Sequence, residues 1–417
     1  MRISQIFSKT TKNVPTDEQA INARLLIRAG FIYKEMAGVY AYLPLGLRVI
    51  ENIKKIIRQE MNSLGASELL MTSLQPKETW EITGRWNDSV VDIWFKSKLK
   101  NGTEVGLGWS HEEPLMVMIS KYAKSYRDLP ISVYQFQTKL RNEVRAKSGI
   151  MRGREFLMKD MYAFSRNQKE LDEFYERSKQ AYLRVYKRVG LGPYTYVTFA
   201  SGGAFTQFSQ EFQTVTPNGE DVIYLDQAKR LAVNEEVYND DVLNQLGLDK
   251  QALQTVKASE VGNIFNFGSL KGEQMGVYFT DEAGRQQPIF LSSYGIGVSR
   301  LMGVIAEHFN DKAGLIWPKE VAPAMAYLIA IGDRPVQNLT DELYNLLTDY
   351  GVAVIYDDRD VRPGEKFADA DLMGIPWRIV VNSKTITNGQ YEIKGRTEDL
   401  PEFVSKEALV KRLTGVD

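Results

Sequence analysis

Residues 134–164, which read YQFQTKLRNEVRAKSGIMRGREFLMKDMYAF, constrain the fold of this chain more than any other stretch. Their first part alternates between apolar and polar side chains, which is the period-two pattern of a half-buried β-strand. A polar, glycine-containing turn over residues 145–153 follows, and residues 154–164 have the composition of a second strand. The pattern predicts a hairpin with Tyr134, Phe136 and Leu140 on one face and with Gln135, Gln137, Lys139, Arg141 and Glu143 on the other.

The hairpin is also basic, because residues 139–159 hold seven Lys or Arg and only two Glu. An arginine on a rigid strand can grip a phosphate with two N–H groups, and a carboxylate can accept a hydrogen bond from the amino group of a base. Arg141, Glu143 and the basic loop that follows them therefore suit a nucleoside triphosphate. The alternative is a surface hairpin with solvated charges, and this stretch alone leaves both interpretations open.

Composition excludes several classes of protein. At 417 residues the chain is long enough for two or three domains. It has no cysteine and only two histidines, which excludes disulfides, thiol nucleophiles and metal sites built from Cys or His. The sequence shows neither a membrane-spanning apolar run nor a signal peptide, so we expect a cytoplasmic protein without membrane contact. With a formal net charge of −1, any RNA partner must be met by local basic patches.

The segment before the hairpin contains three recognisable elements. Apolar residues at spacings of three and four predict an amphipathic helix over residues 47–64, followed by a short strand over residues 68–72. Residues 86–108 have the pattern of a β-hairpin around Asn101-Gly102. The next stretch, LGWSHEEP, leads into a helix and carries adjacent carboxylates at Glu112 and Glu113. These carboxylates either complement the helix dipole or receive the ammonium group of a substrate.

After the hairpin, Ser165 and Gln168 resemble a capping box at the start of a helix that ends near Val189. Residues 215–287 have the character of a compact, mostly polar segment with short elements. A strand over residues 288–294 then leads into SYGIGVSRL, where Arg300 stands in the first turn of a helix, a natural anion site. The lone glycine-rich motif is a weak signal, and His308 on the same helix is expected to be a packing or surface residue.

Pro318 and Pro323 bracket a linker over residues 319–323. The remaining residues, 324–417, alternate between strand and helix patterns, which predicts a small mixed-sheet α/β domain with its own core. Its charged turn, DDRDVRPGEKFADADLMGIP, follows the carboxyl end of a strand and is the expected binding edge of this domain.

Together these stretches resemble class II aminoacyl-tRNA synthetases, and specifically the bacterial-type prolyl-tRNA synthetases, over nearly the whole chain and in the right order. The helix and strand that end at Pro76 are similar to the family's first motif, which forms the dimer interface. LRNE with RGREFLMKDMYAF resembles the second motif, and YGIGVSRL resembles the third. DDR, RPGEKFADADL and GIP resemble the anticodon-binding domain.

The resemblance implies an α+β fold, in which an antiparallel sheet flanked by helices fills residues 1–318, with residues 215–287 as a short insertion. It also implies a mixed-sheet anticodon-binding domain over residues 324–417, and a homodimer. The implied activity is ATP-dependent ligation of L-proline to tRNA(Pro) through a prolyl-adenylate, with ATP and Mg²⁺ as cofactors. The alternatives are a sister synthetase for another small amino acid, or a non-catalytic paralogue that binds RNA or a partner protein.

The resemblance also assigns roles to individual residues. Arg141 and Arg300 are the implied catalytic residues. The implied amino-acid-binding residues are Ser110, Glu112, Arg141, Gln210 and Ser293. The implied ATP-binding residues are Arg141, Glu143, Arg152, Phe156, Gln213 and Arg300. The implied anticodon-binding residues are Arg359, Arg362 and Lys366.

Three departures from the family pattern stand out. Ser110 replaces the usual threonine and keeps the hydroxyl group. The stretch FTQFSQEF, with Gln210 in place of a histidine and with Phe205 and Phe208, replaces a glycine-rich strand at the amino-acid pocket. The large editing domain that many bacterial members carry is absent. Either the bulk of Phe205 and Phe208 tightens the pocket against alanine or, as we expect, a separate protein clears mischarged alanyl-tRNA.

Overall fold

The computed structural model describes residues 1–13, 18–144, 146, 148–201 and 208–415, without the side chain of Phe208. Within these ranges no helix is long and apolar enough to cross a membrane. The chain forms two compact units, and the boundary between them does not coincide with the predicted linker. We call residues 36–39 and 54–304 the central unit, and residues 1–35, 40–53 and 305–417 the terminal unit.

The elements before the hairpin lie close to their predicted positions. The predicted amphipathic helix is α2, and the predicted turn at Asn101-Gly102 joins two short antiparallel strands. The predicted strand over residues 68–72 pairs for only two residues, parallel to the hairpin. The bounds are α1 (Ile21–Arg28), β1 (Ile32–Met36), β2 (Val39–Tyr42), α2 (Pro44–Ser63), β3 (Ser67–Glu68), β4 (Leu74–Pro76), α3 (Lys77–Glu81), β5 (Lys96–Lys98), β6 (Glu104–Leu107) and α4 (Glu112–Tyr122).

The predicted hairpin consists of β7 (Ile131–Leu140) and β8 (Glu155–Ser165), which pair antiparallel along their whole length. It is not half-buried as the alternation suggests. Gln135 and Lys139, on the polar face of the pattern, are as fully buried as Tyr134 on the apolar face. Burial on both faces follows from the position of the hairpin inside a nine-stranded sheet.

The helix after the hairpin begins at a different residue from the one predicted. Asn167 is its N-cap, and its side chain accepts a hydrogen bond from the backbone N–H of Glu170, whereas Ser165 still belongs to β8. This helix, α5, packs against the central strands of the sheet. The elements from here to the third motif are α5 (Gln168–Arg188), β9 (Thr195–Ser201), β10 (Phe208–Val215), β11 (Asp221–Asp226), β12 (Leu231–Asn234), α6 (Asp240–Leu246), β13 (Gln254–Gly268), α7 (Leu270–Met275), β14 (Tyr278–Thr280), β15 (Gln286–Pro288), β16 (Phe290–Gly297) and α8 (Val298–His308).

The nine-stranded sheet has the order β10-β9-β12-β11-β13-β16-β8-β7-β3, with parallel pairing only at β12–β9 and β3–β7. Because β10 also pairs with β13, five of these strands close into a ring around Tyr196, Ile223 and Leu225. Residues 215–287 were expected to form a polar segment of short elements, and that expectation is wrong for β13. This strand runs for 15 residues and is a central member of the sheet. The polar residues of β13 conceal it in the sequence, since Gln254, Thr255 and Lys257 are exposed and Ser259 is buried.

The C-terminal part of the terminal unit contains the expected mixed sheet. Its strand order is β18-β17-β19-β20-β21, with β17 parallel to both neighbours and the other pairs antiparallel. Its core includes Leu328, Leu343 and Ile379. The elements are β17 (Ala326–Ile331), α9 (Arg334–Asp349), β18 (Val354–Asp357), α10 (Pro363–Met373), β19 (Trp377–Asn382), α11 (Ser383–Asn388), β20 (Tyr391–Gly395), β21 (Glu402–Val404) and α12 (Lys406–Thr414).

Candidate active site

Arg141 stands at the meeting point of two cavities in the central unit. It follows the last residue of β7, and its backbone N–H donates to Arg154 across the hairpin. One cavity, which we call the nucleotide cavity, has a volume of about 60 Å³ and is lined by Arg141, Phe156 and Arg300 among others. The other, which we call the amino-acid cavity, has a volume of about 250 Å³ and is lined by Arg141, Ser110 and Glu112 among others. The sequence-predicted residues for two substrates therefore converge on one side chain.

The side chain of Arg141 is half-buried, and its Nε is fully buried. In the part of the chain that the structure describes, it forms no ion pair, and its Nε has no hydrogen-bond partner. Nη2 makes a long hydrogen bond of 3.4 Å to the carbonyl of Trp109, and the group lies 5.3 Å from the ring centre of Phe156. Burial lowers the pKa of this guanidinium, the carboxylate of Glu260 opposes that shift, and Arg300 adds to it. A partly buried cation of this kind is a ready site for an anion.

Of the other predicted ATP ligands, Phe156 and Arg300 line the nucleotide cavity, whereas Glu143, Arg152 and Gln213 are not among the residues that line it. Arg300, at the start of α8, is held in place by the carbonyl oxygens of Met151, at 2.6 Å, and of Glu260. Glu143 and Arg152 pair with each other, with Nη2 of Arg152 3.0 Å from Oε2 of Glu143. A nucleotide that uses both groups must exchange this ion pair for contacts of its own.

Glycines line the nucleotide cavity at positions where neighbouring groups leave no room for a side chain. A Cβ on Gly295 would lie 2.8 Å from the side-chain oxygen of Asn263, and a Cβ on Gly262 would lie 2.3 Å from the hydroxyl of Tyr186. The glycines of the third motif therefore allow strands β13 and β16 to approach each other closely, in addition to leaving room for a ligand.

Gln213 lies among acidic side chains on β10 and on the neighbouring strands. Its amide Nε2 donates to Glu211 at 2.9 Å and to Asp221 at 2.7 Å. Burial raises the pKa of Glu211 to about 8, and the nearby carboxylate of Glu260 contributes to that rise.

The amino-acid cavity contains the predicted receptor for an ammonium group. Glu112 is buried in the first turn of α4, and its Oε2 accepts from the hydroxyl of Ser110 at 2.5 Å and from Nη1 of Arg85 at 3.3 Å. Burial alone would raise the pKa of Glu112, but Arg85 and Ser110 hold it below its ordinary value. Ser293 on β16 also lines this cavity, as expected. Arg85 does so as well, and the motifs gave no signal for it.

Behind the amino-acid cavity lies a buried polar network that the sequence did not reveal. The ammonium group of Lys139 donates to Asp160 at 2.8 Å and lies 2.7 Å from Nδ1 of His111. The hydroxyl of Tyr162 donates to Asp160 and accepts from the backbone N–H of His111, the residue before α4. Burial and Lys139 lower the pKa of His111 to about 4, so the imidazole is neutral at pH 7. The sequence did contain one signal for this network. Lys139 lies two residues before Arg141, so the alternation along the strand places both side chains on the same face of the hairpin.

The expected wall of the amino-acid pocket is only partly described. Phe205 lies outside the described residues, as does the side chain of Phe208. Gln210 is on β10 opposite Ile264 of β13, and its buried Oε1 has no hydrogen-bond partner among the described residues. It is not among the residues that line the two cavities, so its role in amino-acid binding stays a prediction.

In the terminal unit, the charged turn after β18 is internally cross-linked. Arg359 donates to both oxygens of Asp357, at 2.8 and 2.6 Å, and to Asp369 at 2.7 Å. The ammonium group of Lys366 is directed to the carbonyl oxygens of Ala330 and Asp357. Arg362, which precedes α10, is the exposed member of the predicted anticodon-binding set.

Comparison with known proteins decides the family. The model of the class II tRNA synthetase core domain (G, H, P, S and T) matches residues 94–309, and the anticodon binding domain model matches residues 325–415. A proline–tRNA ligase of Zymomonas mobilis subsp. mobilis is 38% identical over 444 residues, which cover 99% of each chain. The chain belongs to the proline–tRNA ligase family. The family's ligases from Bradyrhizobium diazoefficiens and Methylobacterium sp. are 37% and 35% identical, again over at least 99% of both chains.

Solved structures of the family support the fold. The prolyl-tRNA synthetase of Cryptosporidium parvum, solved with halofuginone and AMPPNP, matches with a TM-score of 0.77 at 18% identity. The match covers 94% of this chain and 77% of that chain. A structure of the same synthetase with L-proline and AMP has a TM-score of 0.75. The predicted architecture of a class II core plus an anticodon-binding domain is therefore confirmed.

Proposed function

We propose that this chain joins L-proline to tRNA(Pro) in two steps, first forming prolyl-adenylate and pyrophosphate from proline and ATP. The observation that carries the proposal is the guanidinium of Arg141, which lines both cavities, has a buried and unpartnered Nε, and forms no ion pair in the described structure. A group in that position can contact the carboxylate of an amino acid and the α-phosphate of ATP together, where the new bond forms.

The chemistry needs positioning and charge neutralisation more than proton transfer. The carboxylate of proline is already a nucleophile and attacks the α-phosphorus, and pyrophosphate leaves with the bonding electrons. Arg141 holds the reacting oxygens, while Arg300 and Arg152 receive the outer phosphates. Phe156 stacks on adenine, Glu143 accepts from its amino group, and Gln213 lies towards the adenosine. Ser110 and Glu112 receive the secondary ammonium of proline.

Mg²⁺ fits this site as a companion of ATP. Among the described residues, no group of three or more acidic or histidine side chains could hold a metal by itself. Mg²⁺ usually binds through one or two carboxylates together with substrate phosphates. Glu211 is suited to that role together with Glu260, because burial and repulsion from Glu260 disfavour the ionised form of Glu211 without a cation, although Glu260 already lies 3.5 Å from Arg300. When bound, the ion neutralises charge on the phosphates.

Amino-acid-dependent ATP–pyrophosphate exchange across the twenty amino acids tests the function. We expect exchange with proline, and weaker exchange with alanine, because a pocket for proline excludes a smaller ligand only through lost apolar contacts of about 1–3 kcal/mol each. Exchange with a different amino acid would support the sister-synthetase alternative. Absence of exchange with all twenty would support the non-catalytic one, against which the retained phosphate ligands speak.

Recognition of tRNA by the terminal unit can be tested at the charged turn. Because Arg359 and Lys366 are engaged internally, we expect them to shape the turn, and we expect the exposed Arg362 to contact the anticodon. Arg362→Ala should reduce the rate of tRNA charging about five- to fifty-fold by loss of a charge-assisted contact, with exchange activity unchanged. The matched control is Arg334→Ala, at another exposed helix start of the same unit. Equal charging by both variants would remove Arg362 from the anticodon site.

We also propose that two copies associate through the edge of the nine-stranded sheet. Strand β3 is the last strand of the sheet and leaves an unpaired edge. The residues that follow it are exposed and include Leu70, at 75%, and Leu74, at 53%. Such a surface suits a homodimer, and sedimentation at micromolar concentration measures it directly, since a monomer there would contradict the proposal.

Two further proposals concern the cellular setting. Residues 221–268 contribute strands to the catalytic sheet, so little of the segment between the second and third motifs is left for a separate hydrolytic domain. We therefore propose that another protein clears alanyl-tRNA, and that the enzyme acts in the cytoplasm, where tRNA is charged. Purified enzyme should then accumulate alanyl-tRNA, whereas futile ATP consumption without that product would locate a hydrolytic activity in this chain.

A further inference from the structure

Arg85 is a buried arginine of the amino-acid cavity that the mechanism above does not use. It lies between α3 and β5, and its guanidinium carbon lies 5.2 Å from the ring centre of Trp80 and 4.6 Å from that of Trp109. The two indoles belong to a cluster of four tryptophans with Trp86 and Trp94. Cation–π contacts of this kind restrict the guanidinium to one orientation.

That orientation directs Nη1 to two adjacent carboxylates. The nitrogen lies 3.1 and 2.9 Å from the two oxygens of Glu113 and 3.3 Å from Oε2 of Glu112. The hydroxyl of Ser110 contacts the same Oε2, which leaves Oε1 of Glu112 for a ligand. Arg85 therefore contacts Glu112, the predicted receptor for the ammonium group, at the oxygen that Ser110 also contacts.

Glu113 has partners of its own. Its Oε1 accepts from the buried ammonium group of Lys271 at 2.6 Å and from the hydroxyl of Thr83 at 2.8 Å. Lys271 on α7 can therefore balance the charge of Glu113. Glu112 and Glu113 carry two negative charges, and Arg85 and Lys271 carry two positive charges. Because Lys271 pairs with Glu113, Arg85 is left to balance the charge of Glu112.

We propose that Arg85 is a positioning residue for amino-acid binding, which keeps Glu112 ionised and presents its Oε1 to the secondary ammonium of proline. This inference rests on the proposed function, and it adds a residue that the motifs of the family did not identify. The tryptophans fix Arg85, Arg85 fixes Glu112, and Glu112 binds the substrate.

Loss of Arg85 should make proline binding depend on pH. Glu112 is buried, and burial raises the pKa of a carboxyl group that lacks its counter-ion. The groups that remain around it are Glu113, Lys271, His111, Lys139, Tyr162 and Arg141. Lys271 and Lys139 already have carboxylate partners in Glu113 and Asp160, and His111 is neutral. As the pH falls, a larger fraction of Glu112 would then be protonated, and a neutral acid cannot pair with an ammonium group.

The experiment compares Arg85→Met and Arg85→Lys with the wild type in ATP–pyrophosphate exchange over about pH 6 to 9. For Arg85→Met we expect the KM for proline to rise about 10- to 100-fold at the acidic end and to recover partly as the pH rises, with the KM for ATP within about twofold of wild type. For Arg85→Lys we expect a KM for proline raised about three- to ten-fold at every pH, because the charge remains without the planar fork. Arg285→Met, which breaks an exposed ion pair with Asp281, is the control and should change neither constant.

Titration of the protein with proline alone, followed by tryptophan fluorescence, gives a second readout because Trp109 lines the cavity. The inference is overturned if the KM values for proline and ATP rise together, or if the KM for proline in Arg85→Met does not vary with pH. If Arg85→Met fails to fold, an unchanged KM for proline in Arg85→Lys overturns it. Failure of the proposed function is distinguishable, since the wild type would then show no proline-dependent exchange.

Discussion

Replacing Arg141 by alanine should reduce proline-dependent ATP–pyrophosphate exchange by about a hundred- to several-thousand-fold, which corresponds to about 3–5 kcal/mol of transition-state stabilisation. The physical reason is that Arg141 lines both cavities and can neutralise charge that develops on the α-phosphate as the bond forms. Arg141→Lys should recover only part of the rate, because an ammonium group cannot hold two oxygens in the planar geometry of a guanidinium.

The same substitution should leave the protein folded. In the described structure, Arg141 forms no ion pair with an acidic side chain and only one long hydrogen bond, so its removal strands no buried charge. Thermal unfolding of Arg141→Ala should occur at or above the temperature found for wild type, since a partly desolvated cation without a direct ion pair is destabilising. Arg285→Ala, at an exposed ion pair, serves as the control. A folded Arg141→Ala enzyme with near-wild-type exchange would rule out this role.

Lys139→Met should lower the free energy of unfolding of the central unit by about 3–5 kcal/mol, because it leaves the carboxylate of Asp160 buried without its cation. Asp160 already has one oxygen, Oδ1, with no hydrogen-bond partner, so the network has no spare donor to compensate. Burial would raise the pKa of Asp160, and Lys139, the largest opposing influence, holds it below its ordinary value. Removing Lys139 removes that influence.

The double variant Lys139→Met/Asp160→Leu should recover most of the loss, since it leaves neither buried charge. Urea unfolding followed by tryptophan fluorescence measures both variants, because four of the six tryptophans lie in the central unit. Lys250→Met, at an ion pair whose side chains are 59% and 75% exposed, is the matched control and should change stability by less than about 1 kcal/mol. If the double variant is no more stable than Lys139→Met alone, the charge argument fails and packing explains the loss.

Much of the candidate active site could be proposed from the sequence because its residues lie close together in it. Arg141, Glu143, Arg152 and Phe156 occupy one hairpin, and strand pairing brings its two halves together wherever the hairpin sits. Gly295 and Arg300 follow one strand into one helix. The period-two pattern and the turn residues are local signals, so the motif and its geometry could be inferred together.

Other features of the protein were decided only by the tertiary structure, because they depend on pairing between distant segments. Long β13 could not be recognised from its own residues, because a strand with buried neighbours on both faces has no alternation to show.

The same reason explains the two charge clusters behind the amino-acid cavity. Arg85 meets Glu112 from 27 residues away, Lys271 meets Glu113 from 158 residues away, and Lys139 meets Asp160 across the hairpin. A sequence shows which side chains carry charge. Which charges are buried, and against which partners, is decided only when the strands and helices pack, because the cost of removing a charge from water is met by a partner that may lie anywhere in the chain.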